Sequence, residues 1–255
     1  MKLHFRKYGQ GKPLIILHGL FGSSDNWHSL ARRWGKSFEV YAVDQRNHGS
    51  SPHESAMDYE EMIQDLHAFL QQEQIDVAHF LGHSMGGKVA MAFATRYPDH
   101  VESLIILDIG IGRVMGKHGD ILQALRSINP DEFSSRSAIE QELEKRVASP
   151  SIRQFLLKNI LRRVDNTLAW KFNRDALLEH YDELTSGLDL DDSFLGSVLF
   201  IRGETSDYLE SSLSTEILQY FPMAQIETIQ DAGHWLHADH PDVLSDHVLN
   251  FLAPE

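Results

Sequence analysis

The chain has 255 residues, 42% hydrophobic and 24% charged, the composition of a soluble globular fold with a core able to bury well over half of its unfolded surface. A formal net charge of −14 argues against a nucleic-acid partner, whose affinity comes mainly from Lys and Arg on phosphates, and against anionic membrane surfaces. With no cysteine, disulfides, thiolate metal sites and a cysteine nucleophile are excluded.

Lys2, Arg6 and Lys7 precede an apolar run, but that run (Leu14-Ile15-Ile16-Leu17) is cut off by His18 and Gly19. It reads as a core strand and not as a signal peptide. No apolar stretch approaches membrane-spanning length, so a cytoplasmic location is expected. The loop His18-Gly19-Leu20-Phe21-Gly22 follows the strand, and Val40-Tyr41-Ala42-Val43 is the next strand. Residues 60–71 place Met62, Ile63, Leu66, Phe69 and Leu70 at helical spacing, which makes one buried face.

The most informative stretch comes next. Ala78-His79-Phe80-Leu81 is strand-like, Gly82-His83-Ser84-Met85-Gly86 follows, and Val89-Ala90-Met91-Ala92-Phe93-Ala94 reads as a helix that Pro98 ends. Strand, serine on a sharp Gly-flanked turn, then helix is the pattern of a nucleophile elbow. The turn would lift the Ser84 hydroxyl clear of a sheet, and the Met85 N–H at the helix start would favour developing negative charge. Ser103-Leu104-Ile105-Ile106-Leu107 is a further strand, ending in Asp108.

The alternation of strand and helix then pauses. Residues 110–195 are charge-rich, with helical segments predicted at 121–125, 139–147 and 152–162. Gly110, Gly112, Gly116 and Gly119 lie at the entrance and Gly187 near the exit. A core of residues 1–109 and 196–255 with residues 110–195 inserted as a helical cap is the expected organisation. When the alternation resumes, Val198-Leu199-Phe200-Ile201 is a buried strand whose following turn carries Asp207. A strand at 224–229 leads to the loop Asp231-Ala232-Gly233-His234.

A serine hydroxyl needs a base within reach, and the base needs an acid to hold its tautomer. Ser84, Asp207 and His234 supply all three. His234, His237, Asp239 and His240 fall on different faces at the start of a helix, so no metal is expected there, and no cofactor is needed. His83 and Lys88 are expected to pack or cap, and the pairs Arg32-Arg33 and Arg162-Arg163 to be solvated.

Taken together, the chain resembles the α/β-hydrolase superfamily over nearly its whole length, and more closely the small bacterial esterases of the YbfF type. The residues that carry the likeness are His18-Gly19-Leu20-Phe21-Gly22, Arg46-Asn47-His48-Gly49, Gly82-His83-Ser84-Met85-Gly86-Gly87-Lys88, Leu107-Asp108-Ile109 and Phe155-Leu156-Leu157-Lys158-Asn159. The resemblance implies an α/β fold with a mostly parallel central sheet flanked by helices under a helical cap. It also implies the chain order Ser, Asp, His for the triad. Some YbfF-type members carry the acid at the end of the preceding core strand, where this chain has Asp108. Asp207 is preferred because the fold commonly places its acid there, and Asp108 is the alternative. The oxyanion donors are assigned by position to the Phe21 and Met85 backbone N–H groups, and His18, Met115, Phe155, Leu156 and Trp235 are candidate pocket walls.

The implied activity is hydrolysis of small carboxylic esters through an acyl-enzyme on Ser84. Acyl-CoA or other thioesters, and a ligand sensor built on the same fold with slow turnover, are the alternatives. The partner expected is a small-molecule ester.

Overall fold

The computed structural model describes residues 1–114, 118–190, 192–209 and 214–253. Among the described residues nine strands form: β1 (Phe5–Tyr8), β2 (Lys12–Leu17), β3 (Phe38–Val43), β4 (Ala78–His83), β5 (Val101–Leu107), β6 (Ile160–Arg162), β7 (Leu168–Trp170), β8 (Ser197–Gly203) and β9 (Ala224–Ile229). Seven of them make one sheet in the order β1-β3-β2-β4-β5-β8-β9. Only β1 runs antiparallel to its neighbour, β3; the other sheet pairs are parallel.

The apolar runs explain the two-sided burial. In β2, Ile15 and Leu17 enter one core cluster while Leu14 and Ile16 enter another on the opposite face. A parallel sheet covered by helices on both faces needs such continuous apolar strands. The helices α1 (His28–Trp34), α2 (Tyr59–Gln72) and α3 (Met85–Arg96) form the first layers. Leu30, Ala31 and Trp34 of α1 join the cluster containing Leu14, whereas α2 and α3 pack on the face of Ile15.

Between β5 and β8 lie α4 (Gly119–Ser127), α5 (Arg136–Glu144), α6 (Pro150–Lys158), the β6–β7 pair, α7 (Arg174–Glu179) and α8 (Tyr181–Leu184). The helix predicted at 152–162 ends early, at Lys158. Asn166 adopts φ 67 in a turn closed by the Asn166 N–H on the Arg163 carbonyl, and this turn sends the chain back as a hairpin. Asn and Asp tolerate that left-handed conformation, so Asp165-Asn166 is the signal for it. After β8 the chain continues through α9 (Ser214–Tyr220), β9, α10 (Leu236–Asp239) and α11 (Pro241–Leu252).

The insertion leaves and rejoins the sheet at a narrow neck. There the Val114 N–H donates to the Thr185 carbonyl and the Leu188 N–H to the Ile111 carbonyl, both at 2.8 Å. The ammonium of Lys88, a buried residue of α3, donates to the Gly112 carbonyl at 2.7 Å and to the Ser186 carbonyl. Burial pulls Lys88 down to about 8. Among the described residues no helix is long and apolar enough to cross a membrane.

Candidate active site

Ser84 occupies the turn between β4 and α3 with φ 53 and ψ −120, a backbone conformation that a non-glycine residue keeps only where its surroundings enforce it. Close packing does the enforcing. A side chain at Gly82 would put its Cβ 2.3 Å from the Gly86 carbonyl oxygen, and one at Gly86 would lie 2.4 Å from that of Leu17. The Ser84 N–H is tied to the Leu107 carbonyl of the neighbouring strand at 3.1 Å. Both glycines of the elbow are therefore required by contact with backbone.

His234 follows β9 on a loop and is 7% exposed. Its Nδ1–H donates to Asp108 Oδ2 at 2.8 Å, which leaves Nε2 as the basic nitrogen. One ring face stacks on Tyr208 (centroids 3.6 Å apart, planes at 15°), and the His83 ring lies at 4.7 Å. The Nε2–H of His83 holds the His234 carbonyl at 2.8 Å. Burial first, then the neighbouring His234 and His237, keeps His83 well below the ordinary histidine value, so it remains a neutral strut.

Asp108 is fully buried at the carboxyl end of β5. Its N–H bonds the Ile201 carbonyl of β8 at 2.8 Å, and its Oδ1 accepts the Gly203 N–H at 3.0 Å. Oδ2 also accepts from the Ser206 hydroxyl. Asp207, the acid preferred on sequence grounds, is exposed, and the His234 bond goes to Asp108 in its place. The turn after β8 points Ser206 inward at Asp108 and sets the next side chain toward solvent.

In the loop expected to supply an oxyanion donor, one of the expected N–H groups is already bonded. Phe21 has φ 60, and its N–H is occupied by His48 Nε2 at 3.1 Å. In the same turn the Leu20 N–H has no partner among the described residues. The Met85 N–H is the first of α3 and has no carbonyl within the helix to bond, as expected at a helix start. In this turn the Phe21 N–H is thus taken by His48 and the Leu20 N–H is left available.

Ser84, His234, Leu20 and Phe21 line one small cavity, together with His118, Phe155 and Trp235. A wider groove adjoins it and shares Asn26, Phe155, Trp235 and His237. Of the other expected walls, His18 lines the cavity, but both its ring nitrogens are used: Nδ1–H on the Gly19 carbonyl and Nε2 under the Gln45 N–H. Leu156 is fully buried in the apolar core, one helical step round from Phe155, and is not a wall. Met115 and the entrance residue Gly116 lie outside the described residues.

Two contributors escaped sequence reasoning. His118, at the start of α4, bonds the Tyr181 hydroxyl through Nδ1 (2.8 Å) and the Tyr208 hydroxyl through Nε2 (3.1 Å), and burial lowers it to about 4. The Tyr208 ring, which covers His234, is the other. His237 stacks on Trp27 at 4.6 Å, and burial lowers it to about 3. Among the described residues no group of three or more His, Asp or Glu is arranged to hold a metal ion.

The sequence model of the alpha/beta hydrolase fold matches residues 12–241. The chain is 39% identical to the sn-1-specific diacylglycerol lipase ABHD11 of Mus musculus, over 94% of this chain and 80% of that protein. It is 33% identical to the esterase YbfF of Escherichia coli, over 99% of both chains. Among solved structures, a marine microorganism esterase superposes with a TM-score of 0.96 at 43% identity, over 98% of this chain and 99% of that one.

Proposed function

From the premise that this chain belongs to the alpha/beta hydrolase family and is an ester hydrolase, we propose that it is a serine carboxylesterase working through an acyl-enzyme on Ser84. The observation that carries the reading is the Asp108–His234 bond, which fixes the histidine tautomer with Nε2 unprotonated in a cavity shared with Ser84.

His234 Nε2 takes the Ser84 proton as the oxygen attacks the ester carbonyl. The Met85 and Leu20 N–H groups receive the oxyanion, where one donor contributes roughly 2.7–4 kcal/mol. The protonated His234, stabilised by Asp108, then passes its proton to the leaving alcohol as the tetrahedral adduct collapses. Water repeats the cycle: His234 accepts its proton, hydroxyl adds to the acyl carbon, and Ser84 leaves with the proton returned. Residues 110–195 act in this reading as a cap, since His118, Ile121 and Phe155 from that segment close the cavity over Ser84.

Relatives named esterase and diacylglycerol lipase favour oxygen esters over thioesters. The narrow cavity beside Ser84 suits a short acyl or alcohol group, and the adjoining groove past Phe155 and Trp235 gives room for a longer one. The test is steady-state hydrolysis of p-nitrophenyl esters of increasing chain length, with Ser84→Ala as control. Turnover lost in the control supports the reading, and the preferred length sizes the chamber. Sustained turnover by Ser84→Ala overturns it.

A further inference from the structure

Outside the groups that carry out the chemistry, the turn Arg46-Asn47-His48-Gly49 makes the most specific contact with the oxyanion loop. The His48 ring is fully buried, and its Nδ1–H donates to the Arg46 carbonyl at 2.9 Å. The remaining nitrogen, Nε2, must therefore present a lone pair, and that lone pair accepts the Phe21 N–H at 3.1 Å. Burial, reinforced by His18 whose ring lies 4.9 Å away, lowers His48 to about 3 and keeps it an acceptor at any pH the fold tolerates.

The acceptor is needed because the loop is under strain. The Gly22 N–H closes the turn on the Gly19 carbonyl at 2.9 Å, and Phe21 sits third in it with φ 60. A positive φ at that place is the type II pattern, which normally calls for Gly or Asn. A bulky residue there costs roughly 1–3 kcal/mol. A flip of the Leu20–Phe21 peptide would relieve the cost by converting the turn to type I. It would also turn the Leu20 carbonyl, an acceptor, toward the His48 lone pair and withdraw the N–H that satisfies it. The flip would shift the Phe21 ring off Phe172 (5.5 Å) and His118 (6.2 Å).

The same turn also holds the insertion. The Asn47 carbonyl accepts the Asn173 N–H at 2.8 Å, and Asn47 Oδ1 accepts from Asn173 Nδ2 at 3.1 Å. One short turn therefore meets the segment above the cavity on one side and the loop beside Ser84 on the other.

We propose that His48 is a positioning residue for the reaction: its Nε2 lone pair anchors the Phe21 N–H, and through the Leu20 Cα that joins this peptide to the preceding one it holds the loop that presents the Leu20 N–H to the oxyanion. The assignment rests on the acyl-transfer reading of Ser84. His48→Phe removes the acceptor at similar size, and His48→Gln restores one at about the reach of Nε2. His48→Phe is expected to lower kcat roughly tenfold to a hundredfold, less than the roughly 10²–10³-fold loss of a missing oxyanion donor because the N–H is displaced and not removed, with KM changed little. Affinity for an alkyl boronic acid, which forms a tetrahedral adduct on the serine, should fall by the same factor. His48→Gln should recover most of both.

Unchanged kcat and boronate affinity in folded His48→Phe would overturn the proposal while leaving the esterase reading intact. Turnover by Ser84→Ala would instead overturn that reading itself. Should His48→Phe not fold, the intact protein decides the matter by nitrogen NMR. A scalar coupling between the Phe21 amide and His48 Nε2 supports the lock, and an Nε2-protonated His48 sinks it.

Discussion

Lowering the pH from 7 to 5 should strongly destabilise this protein, and buried histidines are the reason. His18, His48, His79, His83, His118 and His237 are all held below the ordinary value of 6.5, each chiefly by burial. His48 and His237 lie at about 3 and His118 at about 4. Between 6.5 and those values the unfolded chain binds protons that the folded chain refuses. Stability falls with falling pH wherever the unfolded state binds more protons, so this contribution is intact above 6.5 and is lost progressively below it. At pH 5 each of the three costs about 2 kcal/mol relative to pH 7, about 6 kcal/mol together, against a typical total of roughly 5–15 kcal/mol. His18, His79 and His83 act in the same direction. Relief of surface repulsion near the isoelectric point works the other way, but salt at about 0.15 M screens exposed charges beyond about 8 Å and leaves the buried groups dominant. Urea unfolding followed by circular dichroism from pH 7.5 to 4.5 measures the effect. A free energy of unfolding that stays level between pH 7 and pH 5 would refute the burial argument.

Asp108→Asn should lower kcat by about 10⁴, because an amide beside Nδ1 favours the wrong imidazole tautomer. Asp207→Asn should leave kcat within about twofold, since the bond to His234 is made by Asp108. A large loss in Asp207→Asn with Asp108→Asn active would reverse the assignment. Gly86→Ala would drive a methyl to 2.4 Å from the Leu17 carbonyl oxygen and 2.6 Å from that of His18, both backbone atoms that cannot yield. A loss of about 3 kcal/mol or more is expected, read as a fall in the urea midpoint. Gly119→Ala, with nothing within 4 Å of the new carbon, should instead stabilise α4 by about 0.4–1 kcal/mol.

What the sequence makes legible here follows from how local its causes are. The elbow can be read because Gly82, Ser84 and Gly86 lie within five residues, and the packing at both glycines admits no side chain. The apolar strands can be read because a sheet buried on both faces leaves a continuous run. β1 is obscured because an edge strand, Phe5-Arg6-Lys7-Tyr8, carries charges on its exposed positions. The choice between Asp108 and Asp207 depends on how β5 and β8 meet across the sheet, which puts the Asp108 N–H on Ile201 and Ser206 on its carboxylate. Leu20 and Phe21 look equivalent in a Gly-rich loop until His48, distant in the chain, takes one of the two N–H groups. Phe155 and Leu156 are neighbours in sequence, yet a helix turns one to the cavity and the other into the core.

The Lys88 ammonium, set on the carbonyls of Gly112 and Ser186, has a meaning beyond the two bonds it makes. The chain departs from the sheet and returns to it at one cation supplied by the core, so the intervening segment begins and ends at the same address. Its ends are brought together by the sheet and α3, whatever lies between them. Altering the length of such a loop costs only about 0.6 kcal/mol per doubling. The segment is therefore a cassette: its helices and hairpin can be lengthened, trimmed or exchanged while the elbow and the Asp108–His234 pair stay in register. On the proposed reading, residues of that segment can change the walls around Ser84 while the strands that carry Ser84 and Asp108 stay where they are.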